Sequence, residues 1–428
     1  MTTFSGIILG VMVIVYIVAL RLKLSTELAM LAAALAGALA AGHWIPARHI
    51  AEGSITYLDI NLIFISATLF MNILKESGGV AFAVRGIIKT FYRSRVLLLI
   101  LLTILLLVPG ALTGAGSVTV LITGGMVAIV LTYMGIPKVK VSAIIFLIAG
   151  MSAAAPPVSL WAMMAAAGVN MPYVGFFLPL LIPCVVASLL TIFILGWKGT
   201  KIDVDKAFKE LPEPPERMNW LKILIPFILF FGLVLIGRKW PDKTPVVGLP
   251  LMFLVAALSS YLLSPKKLDI FRISSKTIKQ LLPLIGTLTC VGILVQIMTL
   301  TGVRGLLAIS FITLPVILVI GSLFIFLPIT ESVLMYGSAA VFGVPLVLLF
   351  NTMGLNPIVA LAGMSVIWPL GDALPPTAII GRLTVSEVGY SESYIKFLKQ
   401  CIIPAVIICI MGTLMVVFSD KLGFLTGV

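Results

Sequence analysis

Gly371-Asp-Ala-Leu-Pro-Pro-Thr377 sets a pair of prolines inside an apolar segment, and Ser152-Ala-Ala-Ala-Pro-Pro-Val158 does the same 219 positions earlier. A further proline keeps that spacing, Pro109 in the first half and Pro328 in the second. Met134-Gly135-Ile136 likewise recurs as Met353-Gly354-Leu355. Helix-breakers repeated in register mark an internal duplication. Breakers at matching places in two hydrophobic halves are the best sequence pointer to a transporter's binding site. The pattern predicts a membrane protein that moves a small solute.

Composition agrees. Soluble domains carry about 25% charged residues, whereas this chain of 428 residues has 11% charged and 61% hydrophobic residues and a mean hydropathy of +1.21. Apolar runs of about 20 residues, enough to cross a hydrocarbon core, recur along nearly the whole length. The longest polar stretch, 198–217, is only a loop. Cys184, Cys290, Cys401 and Cys409 fall in apolar segments without CxxC spacing and read as small hydrophobes, so neither a disulfide framework nor a metal site is indicated. The first apolar run, 5–20, has no basic segment before it and no cleavage site after it, and reads as a retained helix. The net charge of +13 reflects the lysines and arginines that membrane proteins concentrate in cytoplasmic loops, with no nucleic acid implied.

The expected fold is all-α: a polytopic integral membrane protein with inverted repeats, two re-entrant helical hairpins and two broken transmembrane helices. Residues 1–57 read as N-terminal scaffold helices and 58–197 as the first repeat, with a hairpin at 95–134 and a broken helix at 141–169. Residues 198–280 read as a cytoplasmic loop with linking scaffold helices, spans at 223–236 and 246–263. Residues 281–419 form the second repeat, with a hairpin at 306–350 and a broken helix at 358–383. Arg85, Lys89 and Arg93, four residues apart, share a face and predict a helix along the membrane surface. With re-entrant hairpins, all of the 29 lysines and arginines except Arg48, Arg238, Lys239, Lys243, Arg304 and Lys421 fall on one side. That side is cytoplasmic, both termini lie outside, and the repeats are inverted.

Non-helical backbone survives in hydrocarbon only inside protein or beside a water-filled cavity. Proline removes a donor and frees a carbonyl one turn earlier, so Pro156-Pro157 and Pro375-Pro376 expose groups able to hold a cation. The half-helix after each break points its N-terminus at an anion. Gly110, Thr113, Gly114, Gly116, Ser117 and Thr119 mark the first hairpin tip, and Ser152 and Ser159 the first break. Thr330, Glu331 and Ser332 mark the second tip, and Asp372 and Thr377 the second break. An isolated hydroxyl of this kind often bonds its own backbone, but these cluster at four matched breaks. Glu331 and Asp372 are sharper, because an intramembrane carboxylate is functional by default; they bind Na⁺ directly or titrate as a pair, and Glu331 as a structural cap is the alternative. Arg382 reads as a partner for a substrate carboxylate or as a snorkelling anchor. The expected ligand set is Thr113, Ser117, Ser159, Thr330, Ser332, Thr377 and Arg382 for substrate. Gly114, Ser117, Pro156, Pro157, Glu331, Asp372, Pro375 and Pro376 are expected around the coupling ion. His43 and His49, in an external link without metal spacing, give no basis for an enzyme. Trp44, Trp197 and Trp240 read as interfacial anchors, and Trp368 stands beside the second break.

The glycine-rich segment 110–117, Pro156-Pro157-x-Ser159, the acidic Glu331 tip, Gly354-Leu-Asn-Pro357 and Gly371-Asp-Ala-Leu-Pro-Pro376 together resemble the large membrane subunit of tripartite ATP-independent periplasmic (TRAP) transporters, within the wider ion-transporter superfamily. The resemblance covers most of the chain. It implies an elevator in which hairpins and broken helices slide against a scaffold, in a bacterial or archaeal cytoplasmic membrane. It also implies Na⁺-coupled uptake of small organic acids, with ion ligands from tips and breaks and no other cofactor. Partners in that family are a four-helix small membrane subunit and a periplasmic binding protein. The chain departs from the family in its sparser serines, in Glu331 where Asp is usual, and in Asp372 where the family tends to be uncharged. Those departures open a second reading, a stand-alone proton-coupled organic-anion symporter.

Overall fold

The computed structural model describes residues 2–240 and 247–427, and they contain helices and no strand. Lys243 and Val246, which figured in the expected topology and in the 246–263 span, lie outside them. The first half runs α1 (Thr2–Arg21), α2 (Thr26–Ala40), α3 (Ala47–Ile55), α4 (Leu58–Glu76), α5 (Gly79–Phe91), α6 (Arg95–Thr113), α7 (Gly116–Thr119), α8 (Gly125–Tyr133), α9 (Lys138–Ala154), α10 (Leu160–Gly168) and α11 (Phe177–Gly196). After a short α12 (Val204–Glu210) come α13 (Trp220–Lys239), α14 (Leu249–Leu262), α15 (Ile270–Leu300), α16 (Val303–Thr313), α17 (Val316–Leu334), α18 (Val344–Thr352), α19 (Pro357–Ile367), α20 (Ile379–Val388) and α21 (Tyr394–Val417). Nine helices among the described residues are long and apolar enough to cross a membrane.

The two halves repeat element by element at the spacing of the prolines. A π-helical turn interrupts the second arm of each hairpin, at Val120–Gly124 and at Ala339–Gly343. Both X-Pro breaks hold a cis peptide bond, Pro156-Pro157 and Pro375-Pro376. The correspondence also reaches α1 and α2, which recur as α13 and α14, so the repeated unit extends into the segments read from sequence as scaffold and linker. Packing exchanges across the halves as a pseudo-two-fold requires. Helix α4 packs on α14 and α2 on α15, α10 packs on the second π turn, and α20 packs on the first.

Three boundaries move. The second hairpin begins at Val316, not near residue 306, because Leu314 is extended before Pro315, as a residue preceding proline prefers. The 303–313 stretch is therefore the separate helix α16. Helix α5 ends at Phe91, leaving Arg93 beyond it, and Arg85 is not on an open face. Its guanidinium donates to the carbonyls of Phe208 (2.7 Å) and Leu211 (2.6 Å) in the 198–217 loop. Helix α15 starts at Ile270, well before residue 281; its 31 residues extend about 46 Å.

The hairpins stop at the breaks. The N–H of Val158 donates to Ala111 O at 3.1 Å, and Thr377 donates its hydroxyl to Ser332 O at 2.9 Å. By length each arm of the first hairpin could cross the bilayer, but its tip is tied to the break at the middle of α9–α10, and α10 continues past that level.

Candidate functional site

The first tip is a two-residue turn. Gly114 closes α6 in the left-handed region (φ 68°) and Ala115 begins α7, a conformation that costs glycine nothing for want of a Cβ. Thr113 donates to Pro109 O at 2.8 Å. Thr119 and Ser152 share a hydrogen bond of 2.8 Å, and Ser152 also donates to Ala149 O at 2.7 Å. A Cβ on Gly110 would collide with both of these hydroxyl groups. Thr119 and Ser152 thus form a small hydroxyl network packed against Gly110.

The second tip is built differently. Thr330, Glu331 and Ser332 lie within the last turn of α17, and the chain reverses after them at Met335, which takes a positive φ of 53°. Thr330 donates to Leu327 O (2.9 Å) and Ser332 to Ile329 O (2.8 Å). Glu331 is 0% exposed. Its Oε2 accepts from the Ser338 hydroxyl, while Oε1 has no partner.

Asp372 sits in the 3₁₀ turn Trp368–Ala373 that ends the first part of the second broken helix. It is 3% exposed, and its Oδ2 is also without a partner. The two carboxylates are brought together by Gly371, where a Cβ would meet the Cβ of Glu331 at 2.7 Å and the carbonyl of Pro328. Larger residues there would push the break off the hairpin.

Beside the pair stands a group from the other half. Trp161 on α10 is fully buried, and its ring lies 5.4 Å from that of Tyr336. Its indole N–H stands beside Glu331 without closing to a hydrogen bond. Ser159 Oγ and Trp368 Nε1 are buried and unpartnered as well. No ion pair among the described residues involves Glu331 or Asp372. The result is a pair of buried carboxylates with open oxygens and no basic counter-charge.

The expected ligands divide accordingly. Glu331 and Asp372 come together. Ser159 keeps a free hydroxyl at the first break. Thr113, Thr330, Ser332 and Thr377 spend their protons on backbone carbonyls, and Ser117 is half-buried near the first turn. Arg382 is exposed, has Tyr394 as its neighbour, and forms no ion pair with Glu331 or Asp372. Sequence reasoning passed over Ser338, Tyr336 and Trp161. Ser338 was findable, since it is the counterpart of Thr119 across the repeat; Trp161 has Ile380 at its equivalent position and no such signal. No group of three His, Cys, Asp or Glu side chains among the described residues is placed to hold a metal.

No protein-family model matches the chain, and no curated protein matches it. Among solved structures, the YdaH transporter of Alcanivorax borkumensis is similar with a TM-score of 0.59 and 13% identity, over 87% of this chain and 87% of that one. MtrF of Neisseria gonorrhoeae, described within a class of antimetabolite efflux pumps, gives a TM-score of 0.59 and 12% identity over 87% and 83%. The likeness is one of fold: this chain shares the architecture of two membrane transporters. Neither of them is a TRAP subunit, so the TRAP resemblance rests on the sequence motifs alone.

Proposed function

We propose that this protein is a secondary active transporter carrying a small organic anion across a cytoplasmic membrane, with both termini outside. In this reading, hairpins and broken helices move as a unit against α1–α4 and α13–α16, the elevator motion. The observation that carries it is the Glu331–Asp372 pair. Two buried carboxylates without a basic partner are costly in a membrane interior, and a cation bound between them removes that cost. A cation that is bound on one side and released on the other is what couples transport to a gradient.

The coupling ion is read as a proton. Two buried carboxylates with unpartnered oxygens and no ion pair among the described residues can share one proton between them. The Ser338 hydroxyl and Trp161 indole are donors that would hold the ionised form once that proton leaves. Na⁺ is the second reading. It is favoured by the two open carboxylate oxygens at the site, Glu331 Oε1 and Asp372 Oδ2, since hard cations take oxygen ligands. The likeness to MtrF makes export, as well as uptake, a direction to assay.

The test is uptake of labelled organic acids by proteoliposomes containing this chain alone, under an inward proton gradient or an inward Na⁺ gradient. Accumulation under the proton gradient supports the first reading, and accumulation under Na⁺ alone the second. Silence under both, from protein that elutes as a monodisperse peak, would count against a stand-alone transporter. Adding a four-helix small subunit and a binding protein would then test the tripartite arrangement.

A further inference from the structure

A polar cavity of about 410 Å³ opens beside the second arm of the first hairpin. Its wall is one face of α8, Gly125, Ala128, Ile129 and Thr132, continued into the π turn by Leu121. From Leu121 to Thr132 the arm rises about 16 Å. Exposed Lys138 and Glu210 stand at the cavity's rim, and exposed Glu387 lies against Gly125 on its wall, within electrostatic reach of Lys75. Half-buried Lys75, at the end of α4, forms its head, reaching the π turn within two helical turns of the hairpin tip. The cavity therefore runs from the exposed residues at its rim to Lys75, between α4 and the second arm of the first hairpin.

The charges are arranged unevenly. Lys75 Nζ donates to Leu121 O at 2.5 Å, which engages one of an ammonium's three donors. The other charges near it are Glu76, Lys276 and Glu387. Glu76 and Lys276 neutralise each other at 2.7 Å. Glu387 lies against Gly125, and neither it nor Lys75 belongs to any ion pair among the described residues. At the rim, Glu210 accepts from the Tyr133 hydroxyl at 2.5 Å, and Lys138 reaches Gly389 O at 3.4 Å. The head of the cavity thus holds a cation with free donors and no carboxylate bound to it.

We propose that this cavity is the cytoplasmic half of the cargo path and that Lys75 receives the carboxylate of the cargo there. The assignment rests on the transport reading, and it adds a site that the duplication does not supply twice: the position equivalent to Lys75 in the second half is Leu294. A volume near 400 Å³ suits a small-molecule site. A charge lining a cleft with low-dielectric walls concentrates ions of opposite sign.

The test reads the cavity's preference for anions without requiring transport. Cys184, Cys290, Cys401 and Cys409 are replaced, Met126→Cys is introduced on the cavity wall, and the protein is held in nanodiscs. The rate of modification by anionic methanethiosulfonate ethylsulfonate is compared with that by its cationic trimethylammonium counterpart. Lys75→Gln is expected to lower the anionic-to-cationic ratio about tenfold, and Lys75→Arg to restore it. Acetate is expected to slow labelling when Lys75 is present and to have no effect in Lys75→Gln. An unchanged ratio in Lys75→Gln, or acetate without effect on the Lys75 protein, would overturn the proposal. If Lys75→Gln fails to fold, added salt applied to the Lys75 protein serves instead. The ratio should fall as ionic strength rises, and a salt-independent ratio also overturns the idea. A protein that labels as expected and transports nothing would sink the transport reading alone.

Discussion

Glu331 and its counterpart Leu112 occupy the same place in the two halves, as do Asp372 and Ala153. The duplication therefore produced two equivalent tips, and only the second is charged. Glu331→Gln and Asp372→Asn each keep the shape and remove the charge. Each is expected to lower apparent affinity for the coupling ion about 5–150-fold, the usual span of a coupling free energy. With a proton as the ion, Asp372→Asn also flattens the pH profile of uptake; an unchanged profile with a raised Na⁺ requirement would identify Na⁺. The uncharged first tip makes a different prediction. Gly110→Ala would drive a Cβ into the Thr119 and Ser152 hydroxyls, and overpacking of this kind costs about 1–3 kcal/mol. The expected result is a lower unfolding temperature with an unaltered ion dependence, measured by thermal unfolding beside the uptake assay.

The broken helices carry their function in the break. Replacing Pro375 and Pro376 together by alanine restores donors to the backbone between the 3₁₀ turn and α20 and favours a continuous helix. That would carry Asp372 away from Glu331, so ion affinity should fall while the protein remains in the membrane. Unchanged ion affinity in the double variant would mean that the break does not position the carboxylate. The π turns offer a second handle. Deleting Ala340 converts the second π turn toward regular α-helix and rotates α18 by about 100° relative to the tip. Transport is expected to be lost without loss of expression. Retention of transport would show that the turn is incidental to the hairpin's fit against α10.

Across the protein, the interlocking of the halves explains why the site is assembled from both. Helix α10 of the first half brings Trp161 to the carboxylates of the second, so movement of either half is felt at the pair. Tyr16 of α1 donates to Val333 O in the last turn of α17, and Phe64 of α4 lies where a Cβ on Gly114 would be. Both tips therefore rest on α1–α4, the helices that the proposed elevator holds fixed. The orientation proposed for this assembly has a direct check. Single cysteines at Trp44 and Lys421 should react with a membrane-impermeant maleimide in intact cells, and cysteines at Lys198 and Lys266 only after permeabilisation. The reverse pattern would invert the topology and move the Lys75 cavity to the external face.

The duplication, the broken helices and the membrane-embedded character were legible in the chain because they are written in local terms: proline removes a donor wherever it stands, and a 20-residue apolar run has one solvent it prefers. The same logic singled out Glu331 and Asp372, since an ionisable side chain in an apolar segment demands a partner. It could not say who that partner was. Where a hydroxyl sends its proton depends on a rotamer set by packing, so the chain does not reveal that Thr113, Thr330, Ser332 and Thr377 donate to backbone carbonyls. Contacts between residues far apart in the chain, Trp161 beside Glu331 and Lys75 on Leu121, leave no periodicity to read. The first exists because the two halves fold across one another, bringing a half-helix of one against the hairpin of the other, and the second because α4 packs beside the first hairpin within its own half.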